Sequence, residues 1–465
     1  MINLKKLDSK WYYVISEMFN KGSSYGILLI LSYFLTDTQY GYVTLFNSIL
    51  TLSVVFVSLN LTRNYITRIY FDKENNIKDV VQTIVSFLAV FNIVAVVVII
   101  VVSQFDMIFS VPSELISFGV LVAMFMSNYD IVQGLLVAAE KKQMYCGLSI
   151  IYSTASVILA LSVYLLFPQT GIYSFIGSKL FIAIISCIGA LIYFIKVYHI
   201  RLHIDGMILK QALYYSLPLT LHSISGFLLN YFDRFMINGM VGIQDAALYS
   251  FAHNLAMLLN IVVVAINQGF VPKFYRLLGE NNIKEIDRII SHNTSLLIAI
   301  TVLYSVFIDN AMFLFPSYYR NLQGLTFMLI FSYILFYGYV IYSNYLYFHK
   351  KTTIVFLNTL FAGIVNVILN YFLIQKFNYI GATIATLVAY LIMYILFYLS
   401  ARRMFPGKIY SIRKMTFSLL LCSVCVVVYY FARSFWLTKL IYIGVIIAAM
   451  LCIYRKRHKE VKMHG

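Results

Sequence analysis

The sequence predicts an all-α, polytopic integral membrane protein of about 14 transmembrane helices. Three observations predict it. The chain is 61% hydrophobic and only 11% charged, where a soluble chain carries roughly a quarter of charged residues. Apolar runs of about 20 residues, enough to cross a bilayer, follow one another along its whole length. Of its 35 lysines and arginines, 29 fall in alternate connecting segments, 5 fall in the others and one, Lys179, lies inside an apolar run. That asymmetry is the positive-inside signal, and it puts both termini in the cytoplasm.

The spans run in order at roughly 17–36, 41–62, 80–103, 113–138, 147–167, 171–194, 213–236, 244–268, 292–315, 325–348, 352–374, 380–402, 414–433 and 437–454. Prolines support the segmentation. Pro112, Pro168, Pro272, Pro316 and Pro406 fall between spans, where a missing N–H costs little, and Pro218 alone falls inside one. Lys5, Lys6 and Lys10 precede the first span without a small-residue cleavage site, so that span is expected to stay in the membrane. The connecting segments are short, none much above about 20 residues. Function is therefore expected inside the helix bundle, and a membrane polymerase or glycosyltransferase with a large catalytic loop is disfavoured.

The net charge of +17 reflects inner-face loops and a basic tail, Arg455 to Lys462, rather than a nucleic-acid surface. The five cysteines, Cys146, Cys187, Cys422, Cys425 and Cys452, lie in or beside apolar spans and imply no disulfide framework. Cys422 and Cys425 have redox spacing, but within a membrane helix they read as small packing residues. No nucleotide-binding glycine loop, metal-ligand cluster or nucleophile motif is present. No cofactor and no catalytic residue is expected, and energy is expected from an H+ or Na+ gradient or from coupled metabolism.

An internal repeat organises the chain. Glu74-Asn-Asn-Ile-Lys78 recurs as Glu280-Asn-Asn-Ile-Lys284, 206 residues on. Glu140-Lys-Lys142 matches His349-Lys-Lys351, and Gly171 opening span six matches Gly381 opening span twelve. Six spans per copy keep both copies in one orientation, so they read as parallel repeats, an architecture of alternating-access carriers. The expected organisation is an N-terminal six-helix lobe at 1–205, a C-terminal six-helix lobe at 206–405, and two extra helices with a basic cytoplasmic tail at 406–465. The extra helices carry almost no polar residues and are expected to face lipid.

Polar groups inside a bilayer are costly, so each is a candidate site. Lys179 lies about nine residues into span six, near Ser174 and Ser178. It reads either as a cation lining a cavity for an anionic substrate or as a side chain that snorkels or pairs with a carboxylate. Asp130 reads as a lysine partner, an H+ or Na+ carrier, or a helix-to-helix hydrogen bond. Asp233 and Arg234 end span seven as an interfacial pair or a transport element, and Asp309 is similar and weaker. His222, Gly226, Asn230 and Asp233 share one helical face by spacing. His222 and His253 read as packing residues before they read as a proton relay. Asn358, Asn366 and Asn370 line one face of span eleven, which suits helix packing or hydrogen bonds to sugar hydroxyls. Arg63, Arg68, Lys273 and Arg276 stand at matching inner ends of spans two and eight. They are either ordinary inner-face charge or a cationic entrance for a phosphate head group.

These residues together resemble the polysaccharide-flippase branch of the multidrug/oligosaccharidyl-lipid/polysaccharide exporter superfamily, and most of all O-antigen flippases. The matching residues are Tyr40-Gly-Tyr42, Arg63, Ser216-Leu-Pro-Leu219, Asp233-Arg-Phe235, Ala247-Leu-Tyr-Ser250, and Asn366 to Asn370 followed by Gly381-Ala. The resemblance covers about residues 10–405. It implies two six-helix lobes forming a V, a cationic lumen for a sugar-diphosphate head, and a polyprenyl tail left in lipid. Lys179 fits that lumen. Many members have twelve spans; lipid II flippases have fourteen, the extra pair helping to form a lipid groove, and the chain is less like those overall. The implied function is translocation of undecaprenyl-diphosphate-linked oligosaccharide repeat units across the bacterial inner membrane during lipopolysaccharide O-antigen synthesis. The implied partners are that lipid-linked substrate, membrane lipids and a glycan polymerase, with no nucleic acid. A cation-coupled drug exporter of the same superfamily is the alternative; it calls for acidic rather than basic groups in the lumen.

Overall fold

The computed structural model describes Gly22, residues 25–70, 76–108, 110–406 and 409–432, and Gly444. The N-terminal lysines, span fourteen apart from Gly444, the basic tail, Cys452 and residues 71–75, which include the first two of the first pentapeptide copy, lie outside the described residues. The described residues are nearly all helical. Among the described residues ten helices are long and apolar enough to cross a membrane, so the chain is a multi-pass membrane protein.

The helices follow the expected spans. Residues 25–31 are the described helical part of span one. They lead into α1 (Asp37–Ser58), a short α2 (Arg63–Ile69), α3 (Ile77–Val102), α4 (Ser113–Ala138), α5 (Lys142–Leu166) and α6 (Ile172–Tyr193). Next come α7 (Gly206–Asn230), a short α8 (Phe232–Met240), α9 (Ile243–Gly279) and α10 (Ile283–Ala311). The last are a one-turn α11 (Ser317–Arg320), α12 (Gln323–Phe348), α13 (Thr352–Met404) and α14 (Ile412–Ala432). A two-residue hairpin, Met107–Ile108 against Val111–Pro112, joins α3 to α4. The chain gathers in two compact units, Met1–Ser250 with Asn370–Tyr379, and Phe251–Leu369 with Ile380–Gly465.

The repeated pentapeptide has a local physical role. Asn76 caps the N-terminus of α3, its side chain accepting from the Lys78 N–H at 3.1 Å. Asn282, 206 residues on, caps α10 by accepting from the Glu285 N–H at 3.3 Å. Each satisfies a donor that the first helical turn leaves without a partner. The other landmarks also share backbone conformation. Glu140 and Lys350 end α4 and α12 in the left-handed region, at φ 54° and 56°. Gly171 (φ 52°, ψ −123°) precedes α6, and Asn378 (φ 50°, ψ −138°) breaks α13. By conformation the partner of Gly171 is Asn378 rather than Gly381, and α13 is two helical arms joined at that residue.

Four local expectations change. Span two is not continuous: Leu59 and Asn60 take φ 47° and 54°, α1 stops at Ser58, and Arg63 opens α2 instead of ending a long helix. Asn60 is held there by α7, its amide donating to Ser223 Oγ at 3.1 Å and Thr220 Oγ1 at 3.4 Å, while Ser216 Oγ donates to its carbonyl at 3.4 Å. Pro272 lies inside a helix, because α9 continues to Gly279. Asp233 does not continue the face of His222, Gly226 and Asn230, because α7 ends at Asn230 and Asp233 belongs to α8. Helix α14 does not face lipid all round. Met415, Leu419, Cys422, Val426 and Tyr429 are buried, while Phe417, Leu420, Val424 and Phe431 are exposed.

Close helix approach in a bilayer depends on small residues, since lipid is as apolar as the side chains. In the first unit, a β-carbon at Gly134 of α4 would stand 3.0 Å from Arg63 Cα and 3.1 Å from its carbonyl oxygen. Around that contact Leu61, Tyr65, Ile66, Val80, Ile84, Ile131, Leu135 and Tyr145 form one buried apolar cluster.

Candidate functional site

Lys179 stands on α6 just after two buried serines. Ser174 and Ser178 turn their hydroxyls onto the helix's own carbonyls at 2.8 and 2.6 Å, and so add bulk without an unsatisfied donor. The ammonium of Lys179 donates to Asn47 Oδ1 on α1 at 2.6 Å and lies 4.8 Å from the ring centre of Phe175. Asn47 donates its own NH2 to the Val43 carbonyl at 3.0 Å, which turns its oxygen toward the lysine. Lys179 makes no ion pair among the described residues. It lines a cavity of about 110 Å³ with Tyr152, Ser153, Ser156, Phe175 and apolar neighbours.

Tyr152 connects that cavity to a second polar cluster of the same unit. Its ring stacks on Tyr129 at 4.8 Å. Gln133 Nε2 donates to the Tyr129 hydroxyl, and Ser149 Oγ donates to Gln133 Oε1 at 3.5 Å. Half-buried Asp130 lies within electrostatic reach of both phenols, and Arg63 within reach of Tyr129. Arg63 Nη2 donates to the Tyr145 hydroxyl at 2.5 Å and lies 5.3 Å from that ring's centre. Arg68 is exposed and stacks over Tyr215 at 4.2 Å. The first unit thus brings Lys179, Asp130 and Arg63 into one connected region of tyrosines and amides.

Asp233 and Arg234 are buried within the protein, at 1% and 3% exposure. Asp233 accepts from the Arg234 backbone N–H at 2.9 Å and from the Tyr249 hydroxyl. Arg234 donates to Ser48 Oγ at 3.3 Å and lies over Tyr231 at 5.2 Å. This arrangement ties α8 to α1 and α9 and leaves neither charge facing a cavity wall described above.

In the second unit Lys273 pairs with Glu285 at 3.5 Å and Arg276 with Glu280 at 3.9 Å. On α13, Asn366 of this unit and Asn370 of the first, one turn apart in the helix, are fully buried. Asn358 donates to Ser400 Oγ at 2.9 Å and ties the two arms of α13 together. His253 meets the Tyr333 hydroxyl at 3.2 Å inside the core, as a packing residue. The Asp309 carboxylate accepts from Tyr429 at 3.1 Å and holds α14 on α10. No group of three metal-ligating side chains occurs among the described residues.

Sequence reasoning missed Asn47, Tyr129, Tyr145 and Tyr152. Asn47 had a usable signal, since Thr44, Asn47, Ser48 and Thr51 form a polar stripe within an apolar span. The tyrosines had none, being three among 39.

A family model described as "Polysaccharide biosynthesis protein" matches residues 7–278, more than half of the chain. The chain belongs to that family. Solved structures extend the likeness across this polysaccharide biosynthesis protein. "Lipid II flippase MurJ, inward closed conformation" matches with a TM-score of 0.71 and 15% identity, covering 96% of this chain and 98% of that one. An inward-facing multidrug resistance MATE family transporter of the MOP superfamily matches with a TM-score of 0.65 and 14% identity, covering 83% and 94%. A MOP superfamily transporter from Pyrococcus furiosus matches with a TM-score of 0.55 and 14% identity, covering 85% and 95%. At these identities the likeness shows a shared fold, that of flippases and exporters. Among curated proteins no match is found.

Proposed function

We propose that this polysaccharide biosynthesis protein is a flippase. It translocates undecaprenyl-diphosphate-linked oligosaccharide repeat units across the bacterial inner membrane by alternating access, without catalytic residues or a cofactor. Both termini are cytoplasmic in this reading. The observation that carries it is Lys179, a half-buried cation in a membrane-spanning helix with an amide oxygen and a ring as its contacts and no ion pair among the described residues. A charge held this way in a low-dielectric setting is costly, and an anionic ligand offsets that cost.

In this reading Arg63, Arg68, Lys273 and Arg276 attract the diphosphate head at the inner leaflet. Lys179 then offers it a cation, with Asp130 of the same unit contributing a polar contact and Asp233 and Arg234 holding the helices in place. The ligand drives the change of access only through different affinities for the two states, with coupling to H+ or Na+ supplying direction. A cationic drug calls for a carboxylate in Lys179's place, which disfavours the exporter alternative.

A deletion strain tests the proposal. Complete lipid-linked units trapped on the cytoplasmic face of the inner membrane, and cleared when the gene is restored, are the expected result. Loss of the lipid-linked unit itself would indicate synthesis instead. A normal glycan profile with raised drug sensitivity would indicate export of drugs.

A further inference from the structure

The first unit holds a second cavity, of about 410 Å³, that the polar clusters do not touch. Fourteen of its fifteen lining residues are apolar, Ser53 being the exception. It is long in one direction. Its wall on α1 runs from Ile49 to Leu59, about 15 Å of helix at 1.5 Å per residue. The opposite walls come from α3 and α4, through residues such as Ala95 and Ile116. On α3, Val94 and Val98 both line the cavity and are exposed, as are Val90, Ile93 and Val97 beside them. These residues belong to a helix that crosses the membrane. The cavity therefore opens onto an exposed apolar face of a membrane-spanning helix. Its lower wall ends at Leu59, where the chain breaks before Arg63.

We propose that this groove holds the polyprenyl tail of the lipid-linked substrate, so that the tail travels against α1, α3 and α4 instead of in bulk lipid. The proposal rests on the flippase reading. Three features select a flexible hydrocarbon chain over a compact ligand. The groove is elongated, it offers almost no hydrogen-bonding group, and its side entrance faces the bilayer. An occupant that pairs no polar groups gains by burying apolar area alone. The stop of α1 at the left-handed Leu59 and Asn60 closes the groove four residues before the first cation of α2. That order along the chain, apolar slot and then arginine, suits a ligand with a hydrocarbon tail and an anionic head.

The test uses the full-length protein in phospholipid nanodiscs and a polyprenyl phosphate with a photoactivatable group in the isoprene units next to its phosphate. After irradiation and digestion, labelled peptides are mapped. Labelling concentrated on the groove walls at Ile49–Leu59, around Ala95 and around Ile116 is expected. Ala95→Trp fills the slot and is expected to lower that labelling at least fivefold, while Val97→Trp, on the lipid face of the same helix, leaves it unchanged. Label spread evenly over the lipid-facing surface would overturn the proposal. Equal labelling by a photoactivatable phosphatidylethanolamine would also overturn it, since the groove would then be an ordinary lipid site. The mapping in the unaltered protein decides the matter even if Ala95→Trp fails to fold. The two readings fail separately. Label in the groove with normal glycan export in the deletion strain would remove the flippase reading. Trapped lipid-linked units with label elsewhere would remove only the groove.

Discussion

The ammonium of Lys179 and the amide oxygen of Asn47 are 2.6 Å apart across 132 residues of sequence. This contact gives the half-buried lysine an acceptor without neutralising it. Lys179→Ala is expected to reduce surface glycan export at least about tenfold with protein level in the membrane unchanged, since each 1.4 kcal/mol of lost binding is a factor of ten. Normal export by that variant would remove Lys179 from the site.

Asn47→Asp is the sharper variant. It replaces a neutral acceptor with a carboxylate at contact distance, and an ion pair near 4 Å is worth about 4 kcal/mol at an effective dielectric of 20. The lysine would then be satisfied within the protein. Export is expected to fall as far as in Lys179→Ala while thermal stability rises or holds. Asn47→Gln, which keeps a neutral oxygen, is expected to retain more export than Asn47→Asp.

Asp233 and Arg234 act on stability in this account. Asp233→Ala leaves the buried Arg234 without its neighbouring carboxylate, and stripping one partner from a buried charge pair costs about 3–5 kcal/mol. The expected readout is loss of folded protein, measured as membrane level and thermal midpoint. Asp233→Asn keeps acceptors for the Arg234 N–H and the Tyr249 hydroxyl and is expected to lie between. A well-folded Asp233→Ala protein with lost export would instead make this a transport residue.

Gly134 and Gly147 give an internal comparison. A β-carbon at Gly134 meets the backbone of Arg63, which cannot swing aside, whereas one at Gly147 meets nothing within 4 Å. Gly134→Ala is expected to destabilise by about 1–3 kcal/mol. Gly147→Ala, inside α5, is expected to stabilise by about 0.5–1 kcal/mol. Thermal unfolding of the two purified variants checks both signs.

The repeated asparagines predict a cap effect. Asn282→Ala is expected to cost about 1 kcal/mol, and Asn282→Asp to cost almost nothing, because Asp caps as well as Asn does. Equal midpoints for the Ala and Asp variants would show that the cap carries no stability.

Much of the fold was legible because a bilayer imposes a simple rule. Every spanning segment satisfies its backbone internally and shows apolar side chains, so length and hydropathy mark the helices. The pentapeptide copies were legible as a repeat, though their role as caps needed the Asn76 and Asn282 contacts. The break in span two was not legible. A hydropathy window averages over the four residues from Leu59 to Thr62, and no glycine marks the left-handed turn there. Asn378, by contrast, falls in the gap expected between spans eleven and twelve, while helix α9 absorbed Pro272 against expectation. Lys179 stood out as the lysine or arginine set deepest within an apolar run. Its partner Asn47 and the tyrosines around Arg63 and Asp130 are set by packing between distant helices, which spacing along one helix does not encode.

Reconstituted transport tests the central claim most directly. The purified protein would be placed in liposomes with a fluorescent polyprenyl-diphosphate oligosaccharide, and the fraction reaching the opposite leaflet followed by quenching from outside. Protein-dependent translocation that is lost in Lys179→Ala at equal reconstitution is the predicted result. No translocation by the unaltered protein under an imposed H+ or Na+ gradient, or equal rates for the two proteins, would contradict the account.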